Sequence, residues 1–197
     1  MRTVYWLLVL VVAMFGTAFV TQRAAAASAA PAAQPPVVET SPVGTVKEVM
    51  KGIIDPSSMA VWDAVGSESG ANGEVVEKAP KTDEEWAKVE HQALSLAEAA
   101  NLLVTPGRAM SRPEEANAKT QPDAPELTPA QIEKKIADNR AEWVKHAKDL
   151  QATAVKAMVA AQKHDKDALL DVGEAIDNAC ESCHVVYWYP DQQKVAK

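Results

Sequence analysis

The chain predicts an all-α fold arranged as a four-helix bundle, and three observations point that way. Hydrophobic residues make up 47% of its 197 residues but aromatics only 5%. Alanine, the best helix former, therefore dominates the apolar content. Four stretches repeat apolar side chains at the three- and four-residue spacing of a single helical face. No stretch shows a convincing strand-type alternation. Four helices with one apolar stripe each have one economical packing, with every stripe turned inward.

The N-terminus reads as an export signal. Arg2 is a short basic start, Thr3 to Val20 carries no charge, and Ala27-Ser28-Ala29 is a small-x-small cleavage site. The competing reading is a retained anchor, because the uncharged run is near the lower limit of about 17 residues for crossing a bilayer. Residues 1–29 are thus assigned as signal peptide or uncleaved anchor, and 30–43 as an Ala/Pro linker. Residues 44–190 form the bundle and 191–197 a tail.

The first helix starts at the capping-box pair Thr45 and Glu48. Val46, Val49, Met50 and Ile53 make its stripe, and Met59, Trp62 and Val65 resume it. Pro56 interrupts between them. Asp55, directly before the proline, is expected outside helical geometry, which predicts a kink or two pieces. Gly66 to Pro80 reads as a connection punctuated by glycines. The second helix opens on Thr82 and Glu85. Its stripe is Trp86, Val89, Ala93, Leu96, Ala100 and Leu103, and Pro106-Gly107 stops it.

Residues 105–127, with four prolines, form a B–C loop longer than most connections. They are open to reading as a functional flap or as a disordered crossover. The third helix opens on Thr128-Pro129, with Gln131 completing the box. One face, from Ile132 and Ile136 through Trp143, Ala147, Leu150, Ala154 and Ala157 to Ala161, carries it to about Lys163. The fourth begins at Asp165. Leu169, Val172, Ile176, Cys180, Cys183 and Tyr187 form its stripe, and Pro190 marks its end.

The chemistry lies on that last helix. Cys180-Glu181-Ser182-Cys183-His184 is the attachment sequence of a c-type haem. Each thiol can add to one vinyl group, and the histidine can reach the iron. Cys183 and His184 fall roughly 60° and 40° around the helix from Cys180, so all three serve one flat ligand. Export agrees with this, since covalent haem attachment in bacteria is completed outside the cytoplasm. Zinc would need a second ligand pair. The chain has no other cysteine, and His91, His146 and His164 show no paired spacing. A disulfide between the two cysteines would close a tiny loop and stabilise little. A thioredoxin-type motif would open a helix, whereas this one sits near a helix end whose dipole disfavours thiolates.

A haem-attachment motif on the last helix of an exported, alanine-rich four-helix chain resembles the class II c-type cytochromes. These comprise the cytochrome c′ group and its low-spin relatives. The likeness spans about residues 44–190. It implies a left-handed bundle with one covalent haem c near the C-terminal end, held by Cys180 and Cys183, with His184 as proximal ligand. In low-spin members a first-helix methionine is the sixth ligand, which makes Met50 the candidate. A core methionine filling a gap is the competing reading of Met50. Met59, Met158 and His91 are weaker candidates. The family commonly has a basic residue four positions after the haem histidine, where this chain has Trp188. Its Trp-rich helices and Pro-rich B–C loop also depart from the family.

Two haem functions follow from the resemblance. A single-electron carrier uses the Fe(III)/Fe(II) couple with His and Met on the iron. The alternative is a five-coordinate haem that binds nitric oxide or carbon monoxide. A haemless helical binding module is a third reading. No nucleophile–base pair, phosphate loop or paired-metal spacing suggests an enzyme. The net charge of −7 argues against nucleic acid. It suits soluble redox proteins with basic patches as partners. The expected location is periplasmic, with membrane attachment only if residues 3–20 are retained, and the resemblance leaves room for a homodimer. Trp86, Trp143 and Tyr187 are expected in the core and His146 and His164 in solvent. Tyr187-Trp188-Tyr189 is expected as a hydrophobic cap on the bundle, with an exposed docking patch as the competing reading.

Overall fold

The computed structural model describes residues 41–122 and 124–190, and these are mostly helical. The signal, most of the linker and the tail lie outside the described residues. Among the described residues no helix is long and apolar enough to cross a membrane.

The chain enters at Thr45. Its hydroxyl accepts the Glu48 N–H at 3.2 Å, while the Glu48 carboxylate accepts the Thr45 N–H at 2.8 Å. Helix α1 (Val46–Val49) follows from this box. A π-helical turn, Met50–Ile54, then leads directly into α2 (Asp55–Trp62). The break expected at Pro56 is therefore corrected. Asp55 stays helical at φ −56° and ψ −56°, and its N–H reaches back five residues to the Met50 carbonyl. Proline lacks an N–H and its ring crowds the carbonyl four residues back. One wide turn just upstream absorbs that conflict without ending the helix.

Gly66 to Pro80 is a second correction. Gly66–Ser69 (β1) and Val75–Lys78 (β2) pair antiparallel, with Gly66 opposite Lys78. Gly73 takes a positive φ of 79° in the turn between them, a conformation that glycine adopts freely. β2 is exposed along its whole length and β1 nearly so. Neither strand had to bury alternate residues, so no period-2 pattern marks them.

Helix α3 (Asp83–Leu103) is capped by Thr82, whose hydroxyl accepts the Glu85 N–H. The Glu85 carboxylate turns to the N–H of Lys81 at 2.6 Å, one residue outside the usual box. All six expected stripe residues are buried, together with Ala97 and Ala99, so α3 is covered on more than one side.

The B–C loop is tied down at several points. The Ala109 and Met110 carbonyls accept the N–H groups of Val46 and Lys47, and Leu127 N–H donates to Trp188 O at 2.7 Å. A short 3₁₀ turn, Pro113–Glu115, lies within it. The loop therefore joins the start of α1 to the end of the last helix.

The single long third helix is a third correction. It is α4 (Pro129–Asp138) and α5 (Arg140–Gln162), separated by Asn139 at φ −142° and ψ 68°. The Asn139 side chain accepts the Glu142 N–H at 3.3 Å. This is the local competition that makes Asn poor inside helices and good at their starts. After a tight turn at His164 (φ 52°), Asp165 caps α6 (Lys166–Tyr187), accepting the Ala168 N–H at 2.9 Å.

Packing runs α3 on α5, α5 on α6, and α2 on both α3 and α6. Alanines 93, 97, 100, 154, 157 and 161 are all buried, and their small size lets the helices approach closely. Leu96, Leu169, Ile176 and Val61 fill the centre.

Candidate functional site

Helix α6 presents its chemistry over its last two turns. Ile176 and Tyr187 are buried, whereas Cys180, Cys183 and His184 between them are half-buried. Both cysteines pack against the core as free thiols. Burial pushes Cys180 up to about 11, and the carboxylates of Asp177 and Glu181 add to the shift. Burial likewise pushes Cys183 up to about 12, with Cys180 and Glu142 contributing. Both groups are therefore neutral thiols at physiological pH. Burial moves His184 below the ordinary imidazole range, against the pull of Glu181, so its ring is a neutral base with a free lone pair.

The aromatic residues after the motif fold back around it. The Trp188 and Tyr189 rings lie 5.2 Å and 6.0 Å from that of His184, centre to centre. Trp188 Nε1 donates to Glu126 at 2.9 Å. The Glu126 carboxyl also accepts from Thr120, and the backbone N–H of Thr120 is the main cause that holds it below the usual carboxylate range. Where the resembled family has a basic residue, this chain thus has an indole that ties the B–C loop to α6. Trp188 remains 40% exposed while Tyr187 is buried, so only part of the expected cap is covered.

His146 corrects another expectation, since it is buried at 9% exposure and not solvated. Its Nδ1 lies 3.3 Å from Ser182 Oγ, and its ring meets Tyr187 edge-on at 6.0 Å. Ser182 belongs to the attachment sequence, so this contact seats the motif against α5. His164 is exposed but stacked on Trp86 at 5.2 Å. His91 and Met59 are exposed, and Met158 is half-buried.

Met50 is half-buried and opens the π turn. Its height follows from contacts traced around the helices. Val49 and Ile53 line a groove with Asn101 and Leu102. Asn101 accepts from Lys148, and His146 meets Ser182. Met50 therefore lies at the height of residues 180–184. At that height α1 and the π turn make their main contacts with α3, whereas it is α2, farther along, that packs on α6. The first helix thus does not pack closely on the motif at this height. The groove itself, about 750 Å³, lies between α1 and the end of α3, and neither the cysteines nor His184 nor Met50 lines it. Among the described residues no group of three or more His, Cys, Asp or Glu side chains is placed to hold a metal ion.

Two neutral thiols, a neutral imidazole and a thioether beside half-buried apolar surface fit what a c-type haem requires. Cys180 and Cys183 would hold the ring covalently and His184 would face its iron. The Trp62–Gly173 contact, the π turn and the His146–Ser182 contact carry no motif. Of these only the wide turn had a sequence signal, the conflict at Pro56. No protein-family model matches this chain, and no curated protein or solved structure does either.

Proposed function

We propose that this chain is a c-type haem protein, a four-helix bundle of the cytochrome c′ kind, that carries single electrons outside the cytoplasm. The observation that carries the reading is the placement of the donor set. Cys180, Cys183 and His184 share the half-buried face of α6, with Met50 at the same height on the first helix. When bound, the haem would supply an Fe(III)/Fe(II) couple, and the Met50 thioether as a ligand would raise its potential. The residues do the rest. The two cysteines anchor, the neutral His184 ring donates its lone pair, and Tyr187 and Trp143, edge-on at 5.1 Å, keep water from the inner side. Asp177, Glu181, Glu142 and Glu126 surround the site, which suits basic-patched protein partners.

The test is haem staining of a denaturing gel, made after expression in a host competent for attachment, followed by visible spectra. A sharp reduced α band, unmoved by carbon monoxide, is expected. A colourless polypeptide at its bare mass would overturn the proposal.

A five-coordinate, gas-binding haem is the second reading. It is favoured by the π turn's main packing on α3, which leaves Met50 without a close hold on α6. Met50→Ala separates the two, because it changes the spin state of an electron carrier and leaves that of a gas binder unchanged.

A further inference from the structure

We infer that Trp62, Gly173 and the π turn are positioning elements that together aim Met50 across at His184. This rests on the haem reading above.

Trp62 Nε1 donates to the Gly173 carbonyl at 2.9 Å. A Cβ on residue 173 would lie 3.3 Å from Trp62 Cδ1, tighter than ordinary van der Waals contact, so glycine is what lets the indole lie against the α6 backbone. This is the place where α2 is held on α6. It identifies which row of the first helix faces α6, because Trp62 belongs to that row.

The same contact identifies the face of α6. His184 is eleven residues beyond Gly173. Eleven residues turn a helix by roughly 20° beyond whole turns and advance it about 16 Å. His184 therefore looks out from the same face as Gly173, three turns further along. The first helix runs the opposite way, and Met50 is twelve residues before Trp62. At about 1.5 Å per residue that returns it to the height of His184.

The π turn supplies the direction. On a straight α-helix, residues twelve apart differ by roughly 120°. Met50 would then look away from α6. A turn closed by a five-residue hydrogen bond holds one residue more than an α turn, which takes back about 100°. The bond from Asp55 N–H to Met50 O is such a closure. Met50, Ile54, Ser58 and Trp62 consequently form one row, four residues apart. Ile54 and Ser58 are buried, and Met50 and Trp62 at the ends of the row are half-buried.

The experiment compares haem-loaded wild type with Trp62→Phe and Gly173→Ala. Trp62→Phe removes the N–H and keeps an aromatic ring. Gly173→Ala pushes against the indole and stands in should the first variant not fold. Val89→Ala, in the core of α3, controls for a general loss of stability. The readouts are haem stoichiometry, ferric spin state and carbon monoxide affinity of the reduced protein. Wild type is expected to be low-spin and indifferent to carbon monoxide. Both positioning variants should keep one haem, show new high-spin absorbance and give the carbon monoxide shift that wild type lacks. Val89→Ala should lower the melting temperature without either spectral change. A variant with Gly52 deleted and Pro56 replaced by Ala should stay low-spin, because removing the extra residue together with the proline that demands the wide turn restores a plain α-helix with Met50 still on the Trp62 row. Positioning variants with wild-type spectra would overturn the inference and leave the haem reading standing. So would a wild type that already binds carbon monoxide. A wild type without covalent haem would sink the reading beneath it, and the inference with it.

Discussion

Helix α6 begins at Lys166 with Leu169 and Ile176 fully buried and with Trp62 hydrogen-bonded to Gly173. Two turns later Cys180, Cys183 and His184 are only half-buried, although they extend the same stripe. The first half packs on α5 and is held to α2 at Gly173, while the second is tied at its edges through Ser182, Tyr187 and Trp188. A core built for stability alone would close both halves with the same alanines and leucines. Under the proposed haem reading, the second half leaves surface for the ligand and the first half supplies the stability this requires.

Three measurements break or sharpen that contrast, the largest effect first. In unloaded, folded protein at pH 8 Cys180 should alkylate with iodoacetamide on the order of a hundredfold, and Cys183 on the order of a thousandfold, more slowly than in urea. The reason is that their pKa values lie near 11 and 12, and the thiolate is the nucleophile. Equal rates would mean that the second half of α6 does not rest on the core. Next, Leu169→Ala should cost about 2–5 kcal/mol by urea unfolding. Met50→Ala in the same unloaded protein should cost less than about 2 kcal/mol, since Met50 is already half-exposed. Comparable losses at the two sites would erase the contrast.

The smallest effect concerns Glu48. The Thr45 N–H, with Arg112 adding to it, lowers its carboxyl to about 2. The folded pKa lies below the unfolded one, so the stabilisation is complete above about pH 4.5 and is lost as pH falls towards 2. Glu48→Gln should flatten the acid limb of a melting-temperature profile between those values. An unchanged limb would show that the Glu48–Arg112 contact does not help hold the B–C loop on α1.

Much of this molecule could be read from short stretches of chain. Thr45, Thr82, Thr128 and Asp165 each cap the helix they announce, because a cap needs only a hydroxyl or carboxylate and an N–H three residues away. The stripe of α3 is buried residue for residue, since a period of three and four is a property of one helix. The hairpin at Gly66–Lys78 escaped because it is exposed and its strands are only four residues each. The split at Asn139 escaped because the apolar stripe runs on through it, and only the backbone at that one residue shows the break.

The placement of Cys180, Cys183 and His184 on one helical face was settled by neighbouring residues alone, through bonds and angles repeating within one or two turns. Which neighbours those side chains meet was not. His146 meets Tyr187 and Ser182, and Trp62 meets Gly173. Those partners are brought together across tens to more than a hundred residues of chain. Only the packed helices decided which faces are covered, because burial is set by whatever lies opposite, and no periodicity within one helix records its neighbour.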